Sequence, residues 1–232
     1  MFPISIVRRR IAGAALLLVT GAAAAFSLSD LSNQDATSGL KAALEKGAKV
    51  AVGKLGRQNG FLDNDQVKIR LPGALEQAMP LIRMTGQGQQ VDQLVIDMNH
   101  AAESAVPQAL PLLVNAVKAM SVTDAKNILS SGDTSVTEFF RQKTATGLAG
   151  KFLPIVKGVT DRNGLSARYN ATLGQVAKTG LVSADQASVE GYVTQRALDG
   201  LFLMIGEEEK AIRRDPVGSG SAIIGKVFGA LR

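Results

Sequence analysis

Apolar residues recur at helical spacing along almost the whole chain, and this pattern restricts the fold more strongly than any other feature. The first clear stripe comprises Ala36, Leu40, Ala43, Leu44, Gly47, Ala51 and Leu55. A spacing of three and four residues places all of them on one face of a helix. Alternation of apolar and polar residues, which indicates a strand, occurs only at residues 67–71. The sequence therefore predicts an all-α protein.

Prolines, glycines and capping residues divide this pattern into about eight to ten helices. The predicted helices cover residues 36–55, a short stretch between Pro72 and Pro80, 88–106, 107–120, 124–132, a stretch from 134 through Phe139 and Phe140, 148–162, 165–179, 186–214 and the end of the chain. Residues 58–66 and 163–164 are predicted loops. We expect a compact multi-helix bundle around a long buried helix at 186–214.

Residues 1–25 contain the three parts of a secretory signal. Three arginines at 8–10 precede an apolar run at 11–19 and four alanines at 22–25, the order that a signal peptide requires. A membrane-spanning helix needs about 20 apolar residues, so we favour a cleavable signal over an uncleaved anchor. We therefore expect residues 26–232 to form a single all-helical domain in the periplasm.

Charge and cysteine content narrow the function classes. The arginines of the predicted signal carry half of the formal net charge of +6, and no tryptophan is present. Nucleic-acid binding requires a concentrated basic face, and no such block remains, so we expect no nucleic-acid partner. The chain has no cysteine, which excludes disulfides and thiolate metal sites. Helix packing alone must then hold the core together.

Several longer motifs occur in a fixed order along the chain. They are Gly39-Leu-Lys-Ala-Ala-Leu44, Asn59-Gly60-Phe61, Met98-Asn-His-Ala-Ala-Glu103, Phe139-Phe-Arg-Gln-Lys-Thr144, Phe152-Leu-Pro-Ile-Val156 and Tyr192-Val-Thr-Gln-Arg-Ala-Leu-Asp-Gly-Leu-Phe202. In sequence and order they resemble the bacterial domain-of-unknown-function 4197 family. The resemblance implies an exported helical protein of undefined activity, and it supplies no catalytic residues.

Three polar residues lie together at the edge of the core face of the predicted helix 88–106. At 100° per residue, Asp92, Asn99 and Glu103 fall beside Ile96. One interpretation is a polar pocket for a ligand or cation. The other is a structural network that holds a neighbouring helix, such as the one carrying Arg141. We favour the structural network, because buried polar groups need hydrogen bonds whether or not a ligand exists.

Asp199 is the second candidate, within a stretch at 197–206 that is apolar all round. A carboxylate there should be paired or protonated, and Arg141, Arg168 and Arg196 are the candidate partners. It could act as a general acid or base, but we favour a salt bridge that fixes helix register. The acidic run at 207–209 is interpreted as a solvated helix end with a Glu209–Arg213 pair.

His100 is the only histidine, and helical projection places it opposite the core face. A closed zinc site needs four ligands, and a Ser–His–acid triad lacks its usual G-x-S-x-G turn. We therefore predict no metal site and no cofactor.

Two hypotheses for function remain. We favour a non-enzymatic helical module that binds a small apolar or amphipathic ligand, or an envelope protein, between its helices. The alternative is a hydrolase-like enzyme with Asp92, Glu103 and Asp199 around one cleft. The last helix, with Ile223 and Phe228 on its apolar face, could touch a membrane surface peripherally. We favour its docking onto the domain.

Overall fold

The computed structural model describes residues 27–84, 86, 88–173 and 188–231, and all elements in these ranges are helical. The α-helices are α1 (Asn33–Leu55), α2 (Gly73–Met84), α3 (Gly88–Ala119), α4 (Ala125–Ser130), α5 (Ser135–Arg162), α6 (Leu165–Leu173), α7 (Val189–Arg214) and α8 (Ala222–Gly229). The all-α prediction and the long buried helix near the C-terminus are confirmed. The predicted signal peptide and the end of the predicted helix 165–179 lie outside the described residues.

Four long helices form the centre of the bundle. Helix α1 packs against α3 and α7, and α5 packs against the same two helices from the other side. Their facing surfaces bury one continuous apolar core that includes Leu44, Met98, Phe140, Phe152 and Leu201. Helices α2, α4, α6 and α8 pack around this ring of four. Helix α5 therefore has α3 on one side and α7 on the other.

Helix α3 is continuous where two helices were predicted. We expected the chain to break at Pro107, but α3 runs from Gly88 to Ala119 through both Pro107 and Pro111. Both rings lie on the exposed side of the helix, where the carbonyls that lose an N–H partner can face water. The core side, including Val106 and Leu113, stays buried on both sides of the prolines. Packing of the buried face therefore outweighs the local helix-breaking effect.

The same correction applies to two other helices. Helix α5 runs unbroken to Arg162 through Pro154, whereas separate helices were predicted on either side of residue 148. Pro80 was predicted to bend or end the second helix, but α2 continues past it to Met84, so Pro80 does not end the helix. Both prolines are exposed. A proline on a solvent-facing side is a weaker stop signal than one that faces the core.

The last helix docks on the bundle, as predicted. Helix α8 packs on α1 and buries Ile224, Val227 and Phe228. Contact is close at Gly39, where a Cβ atom would lie 2.5 Å from the Cβ of Val227. No helix in the described part of the chain has the length and apolarity needed to cross a membrane.

Candidate functional site

Glu103 of α3 binds the backbone of the turn that follows α1. Its side chain is almost fully buried and accepts hydrogen bonds from the backbone N–H groups of Asn59 at 3.0 Å, Phe61 at 3.0 Å and Leu62 at 3.1 Å. Charge-assisted bonds of this kind are stronger than neutral ones. Three of them compensate the carboxylate for its loss of water and fix the path of the turn.

Asn99, one turn earlier on α3, binds the same connecting segment further along. Its Oδ1 accepts from the backbone N–H of Ile69 at 2.9 Å, and its amide donates to the carbonyl of Ile69 at 2.8 Å. The Asn99 side chain therefore makes the two hydrogen bonds that a neighbouring strand would make with the backbone of Ile69. This segment alternates as its sequence indicated, with Val67 and Leu71 also buried, but it is extended chain without a partner strand.

Asn99 and Glu103 thus belong to one network, although its partner is a loop and not the helix that carries Arg141. Asp92, the third residue of the predicted group, is not part of it. Its side chain is 57 % exposed and pairs with Arg83 at 3.0 Å. The same edge of α3 is therefore buried at Asn99 and open at Asp92, nearly two turns closer to the start of the helix.

Helical projection placed His100 in open solvent, but in the structure it faces the turn after α1. Its Nε2 lies 3.2 Å from Oδ1 of Asn59 and 3.9 Å from Oε2 of Glu103, and its side chain is 41 % exposed. Within the described ranges, no three His, Asp or Glu side chains are grouped closely enough to hold a metal ion.

Asp199 lies beside two of its three candidate partners. Arg141 donates to Oδ1 at 2.5 Å, Arg196 lies 3.5 Å from Oδ2, and Gln195 donates to Oδ1 at 3.1 Å. Arg168 instead pairs with Asp97 at 2.8 Å. The Asp199 side chain is 27 % exposed, so the position is less buried than the surrounding apolar residues indicated. Arg141 and Asp199 together link α5 to α7.

The end of α7 contains a buried network where a solvated helix end was predicted. Glu209 is only 3 % exposed. It accepts from the backbone N–H groups of Val136 at 3.2 Å and Thr137 at 2.8 Å, and Arg213 pairs with it at 2.7 Å. Arg213 also donates to the carbonyl of Leu129 at 2.8 Å. The signal for this burial was present, since Glu209 lies on the same helix face as the buried Ile205 and Ile212.

Two buried tyrosines lie on α6 and α7. Burial raises the pKa of the Tyr169 phenol. Burial also raises the pKa of Tyr192, although the nearby Arg196 guanidinium opposes the shift. The Tyr192 hydroxyl donates to the carbonyl of Arg70 at 2.8 Å. Both phenols are therefore expected to stay protonated well into alkaline solution, and they act as packing groups with a polar end.

The largest of the described cavities is a cleft between α3 and α5, with a volume of about 520 Å³. We call it the α3/α5 cleft. It is lined by Leu112, Asn115, Ala116, Ala119, Met120, Ser121, Lys143, Thr144, Gly147, Leu148 and Lys151. Its lining therefore combines an apolar floor with two lysines and contains no carboxylate. Sequence reasoning missed this site, because its two walls come from helices that are separate in the chain.

The other side of α5 carries a smaller cavity of about 280 Å³, lined by residues that include Arg141 and Asp199. Glu103 and His100 line a third cavity at the turn after α1. The enzyme hypothesis needs at least two of its three carboxylates in one cavity. None of the cavities described contains more than one of them. Each carboxylate instead has its own hydrogen-bonding partners.

A comparison with known protein families assigns the chain to one of them. The model of the family DUF4197, described as a protein of unknown function, matches residues 30–229, and the chain belongs to this family. The resemblance seen in the sequence motifs is therefore confirmed. No curated protein and no solved structure matches the chain. Because the family description states no activity, a proposal for function must come from the geometry.

Proposed function

We propose that this member of the DUF4197 family is a non-enzymatic module that binds an anionic amphiphile in the α3/α5 cleft. The ligand class is an acyl or alkyl chain with a carboxylate or phosphate group. The observation that carries the proposal is the lining of the cleft, in which an apolar floor meets Lys143 and Lys151 without any carboxylate.

The size and lining of the cleft support this class of ligand. Sites for small molecules usually have about 300–1,000 Å³ and apolar walls with a few polar groups that fix orientation. The 520 Å³ of the cleft lies within that range. Leu112, Ala116 and Ala119 supply accessible apolar surface, whose burial is worth about 25 cal/mol per Å². An alkyl chain therefore accounts for most of the expected affinity.

The two lysines explain why the proposed ligand carries a negative charge. The ammonium of Lys143 lies 5.7 Å from the ring centroid of Phe139. Lys151 forms no ion pair or hydrogen bond within the described ranges. By contrast, Lys157 on the same helix pairs with Asp161 at 2.8 Å. An anionic group in the cleft would thus meet cations that no acidic side chain of the lining neutralises.

We also propose that residues 1–25 are a cleaved export signal, so that the domain works in the periplasm. The basic cluster, short apolar run and alanines of this segment support the proposal. The enzyme alternative lacks comparable support, because Asp92, Glu103 and Asp199 have separate partners and separate surroundings.

Binding of dodecanoate and dodecyl phosphate, followed by isothermal titration calorimetry, tests the proposal. We expect Gly147→Leu to abolish measurable binding, because Gly147 lines the cleft and a Cβ there meets no atom within 4 Å. The added side chain should occupy part of the cleft between the two lysines without strain. Gly150→Leu is the matched control, since Gly150 has equally open space on the same helix and does not line the cleft.

The charge is tested by the double variant Lys143→Gln/Lys151→Gln. Loss of an exposed ion pair costs up to about 1 kcal/mol, so we expect affinity for dodecanoate to fall about fivefold. Lys157→Gln should leave the affinity unchanged. If wild-type protein binds neither compound, or if Gly147→Leu binds them like wild type, the proposed function is wrong.

A further inference from the structure

We infer that the α3/α5 cleft selects amphiphiles that carry an anionic group at each end of an apolar chain. The inference rests on the proposed function and adds the charge pattern of the ligand. Its starting point is the spacing of the two cleft lysines. Lys143 and Lys151 are eight residues apart on α5, and a helix rises 1.5 Å per residue, so their backbones are separated by about 12 Å along the helix axis.

The Lys143 ammonium is held on the side of its own backbone that is remote from the Lys151 backbone. Side chains on a helix lean toward its N-terminus, and the ammonium of Lys143 lies over Phe139, one turn before it. This direction leads away from the backbone of Lys151. A single carboxylate that bridged both ammonium groups would have to draw Lys143 off the Phe139 ring. Two separate anionic groups can meet the two lysines without that rearrangement.

The space between the lysines is open and largely apolar. Gly147 lies four residues from each of them, and a Cβ atom at Gly147 would meet no other atom within 4 Å. Ala116 and Leu148 contribute apolar surface to the same cleft. A straight chain placed along α5 can therefore cover the apolar stretch while its ends reach the two cations. An α,ω-dicarboxylate has this arrangement, whereas a fatty acid has a carboxylate at only one end of the chain.

A chain-length series of dicarboxylates tests the inference by calorimetry on the full mature chain. Decanedioate and dodecanedioate are long enough to reach both lysines, whereas butanedioate is too short. We expect dodecanedioate to bind about fivefold more tightly than dodecanoate, although its second carboxylate makes it less apolar. Butanedioate should show no measurable binding, because it offers almost no apolar surface.

Single lysine variants separate the two binding modes. A monocarboxylate can use either lysine, so Lys143→Gln or Lys151→Gln alone should weaken dodecanoate binding by no more than about twofold. Each single change should weaken dodecanedioate binding about fivefold, because each removes one of two simultaneous pairs. Lys157→Gln is again the control on the same helix.

The outcomes distinguish this inference from the proposal on which it rests. If dodecanoate binds as tightly as dodecanedioate, and the single lysine variants affect both equally, the selection for two anionic ends is refuted while the amphiphile site stands. If neither compound binds, or if Gly147→Leu leaves binding unchanged, both proposals fail. Tighter binding of dodecanedioate that either single variant removes supports the inference.

Discussion

At the scale of single residues, the carboxylate of Glu103 depends on backbone donors. Three N–H groups of the turn bind its two oxygens, whereas the ring nitrogen of His100 lies 3.9 Å away, beyond hydrogen-bonding distance. The negative charge strengthens all three bonds. Glu103 therefore stabilises the fold through its charge and its two acceptor atoms, and a neutral isostere with a single acceptor oxygen should not replace it.

We expect Glu103→Gln to lower the free energy of unfolding by about 2–3 kcal/mol. The substituted amide keeps one acceptor oxygen and turns an NH₂ group toward N–H donors that then lack a partner. Urea denaturation followed by circular dichroism measures the change. Asp92→Asn on the same helix is the control, because its pair with Arg83 is exposed, and it should shift stability by less than about 0.5 kcal/mol. Equal losses would contradict this account of Glu103.

Tyr169 should make the protein sensitive to alkali. Burial raises its pKa above the usual 10.0, so above that pH the unfolded chain loses the phenol proton while the folded chain retains it. Stability from this group is therefore intact below pH 10 and falls as pH rises, by at most about 1.4 kcal/mol per pH unit. Tyr169→Phe should show a shallower decline in urea midpoint between pH 9 and pH 11 than wild type. Parallel curves would contradict the prediction.

At the scale of helices, a residue of α7 defines where α5 begins. The cap residue of α5, Thr134, makes no capping hydrogen bond with its side chain. The first N–H groups of α5 are instead bound by Glu209 of α7, and Arg213 ties the same carboxylate to the end of α4. The start of α5 is therefore fixed by a residue that lies far away in the sequence.

Two glycines of α1 should respond in opposite directions to the same substitution. Gly39→Ala would place a Cβ 2.5 Å from Val227, so α8 must shift, at a cost of about 1–3 kcal/mol. Gly53 has open space around it, and Gly53→Ala should stabilise the helix by about 0.5–1 kcal/mol. Hydrogen exchange should become faster in α8 for the first variant and stay unchanged for the second. Similar effects from both would mean that α8 is not held by this contact.

At the scale of the whole molecule, the spacing of apolar residues was sufficient to predict an all-α bundle, because each helix buries one face. Helix ends were harder to predict, since a proline such as Pro107 is judged by a local rule, whereas its cost depends on which side of the helix is exposed. For this reason α3 and α5 were each predicted as two helices, although each is continuous. The sequence contains no direct measure of that exposure before the helices are packed together.

The candidate sites were also predictable to different degrees, because the exposure of a residue is known only once the helices are packed together. Helical projection placed Asn99 and Glu103 at a buried edge, and the pairing of Asp199 with Arg141 followed from the need to compensate a carboxylate among apolar residues. The turn that Glu103 binds has no periodic pattern to reveal it, whereas the alternation at residues 67–71 did mark the segment that Asn99 binds. The α3/α5 cleft exists only between two assembled helices, so neither Lys143 nor Lys151 is distinctive in the sequence by itself.

Attachment of α3 to the backbone of the segment at 59–69 makes that segment a suitable position for a reporter group. Its path depends on Asn99 and Glu103 and not on exposed side chains such as that of Gln66. The chain has no cysteine, so Gln66→Cys would introduce one thiol at a fixed point of the surface, outside the lining of the α3/α5 cleft. A spin label or dye on that thiol could then be paired with a second label across the bundle, and ligand-dependent movement could be read directly as a distance.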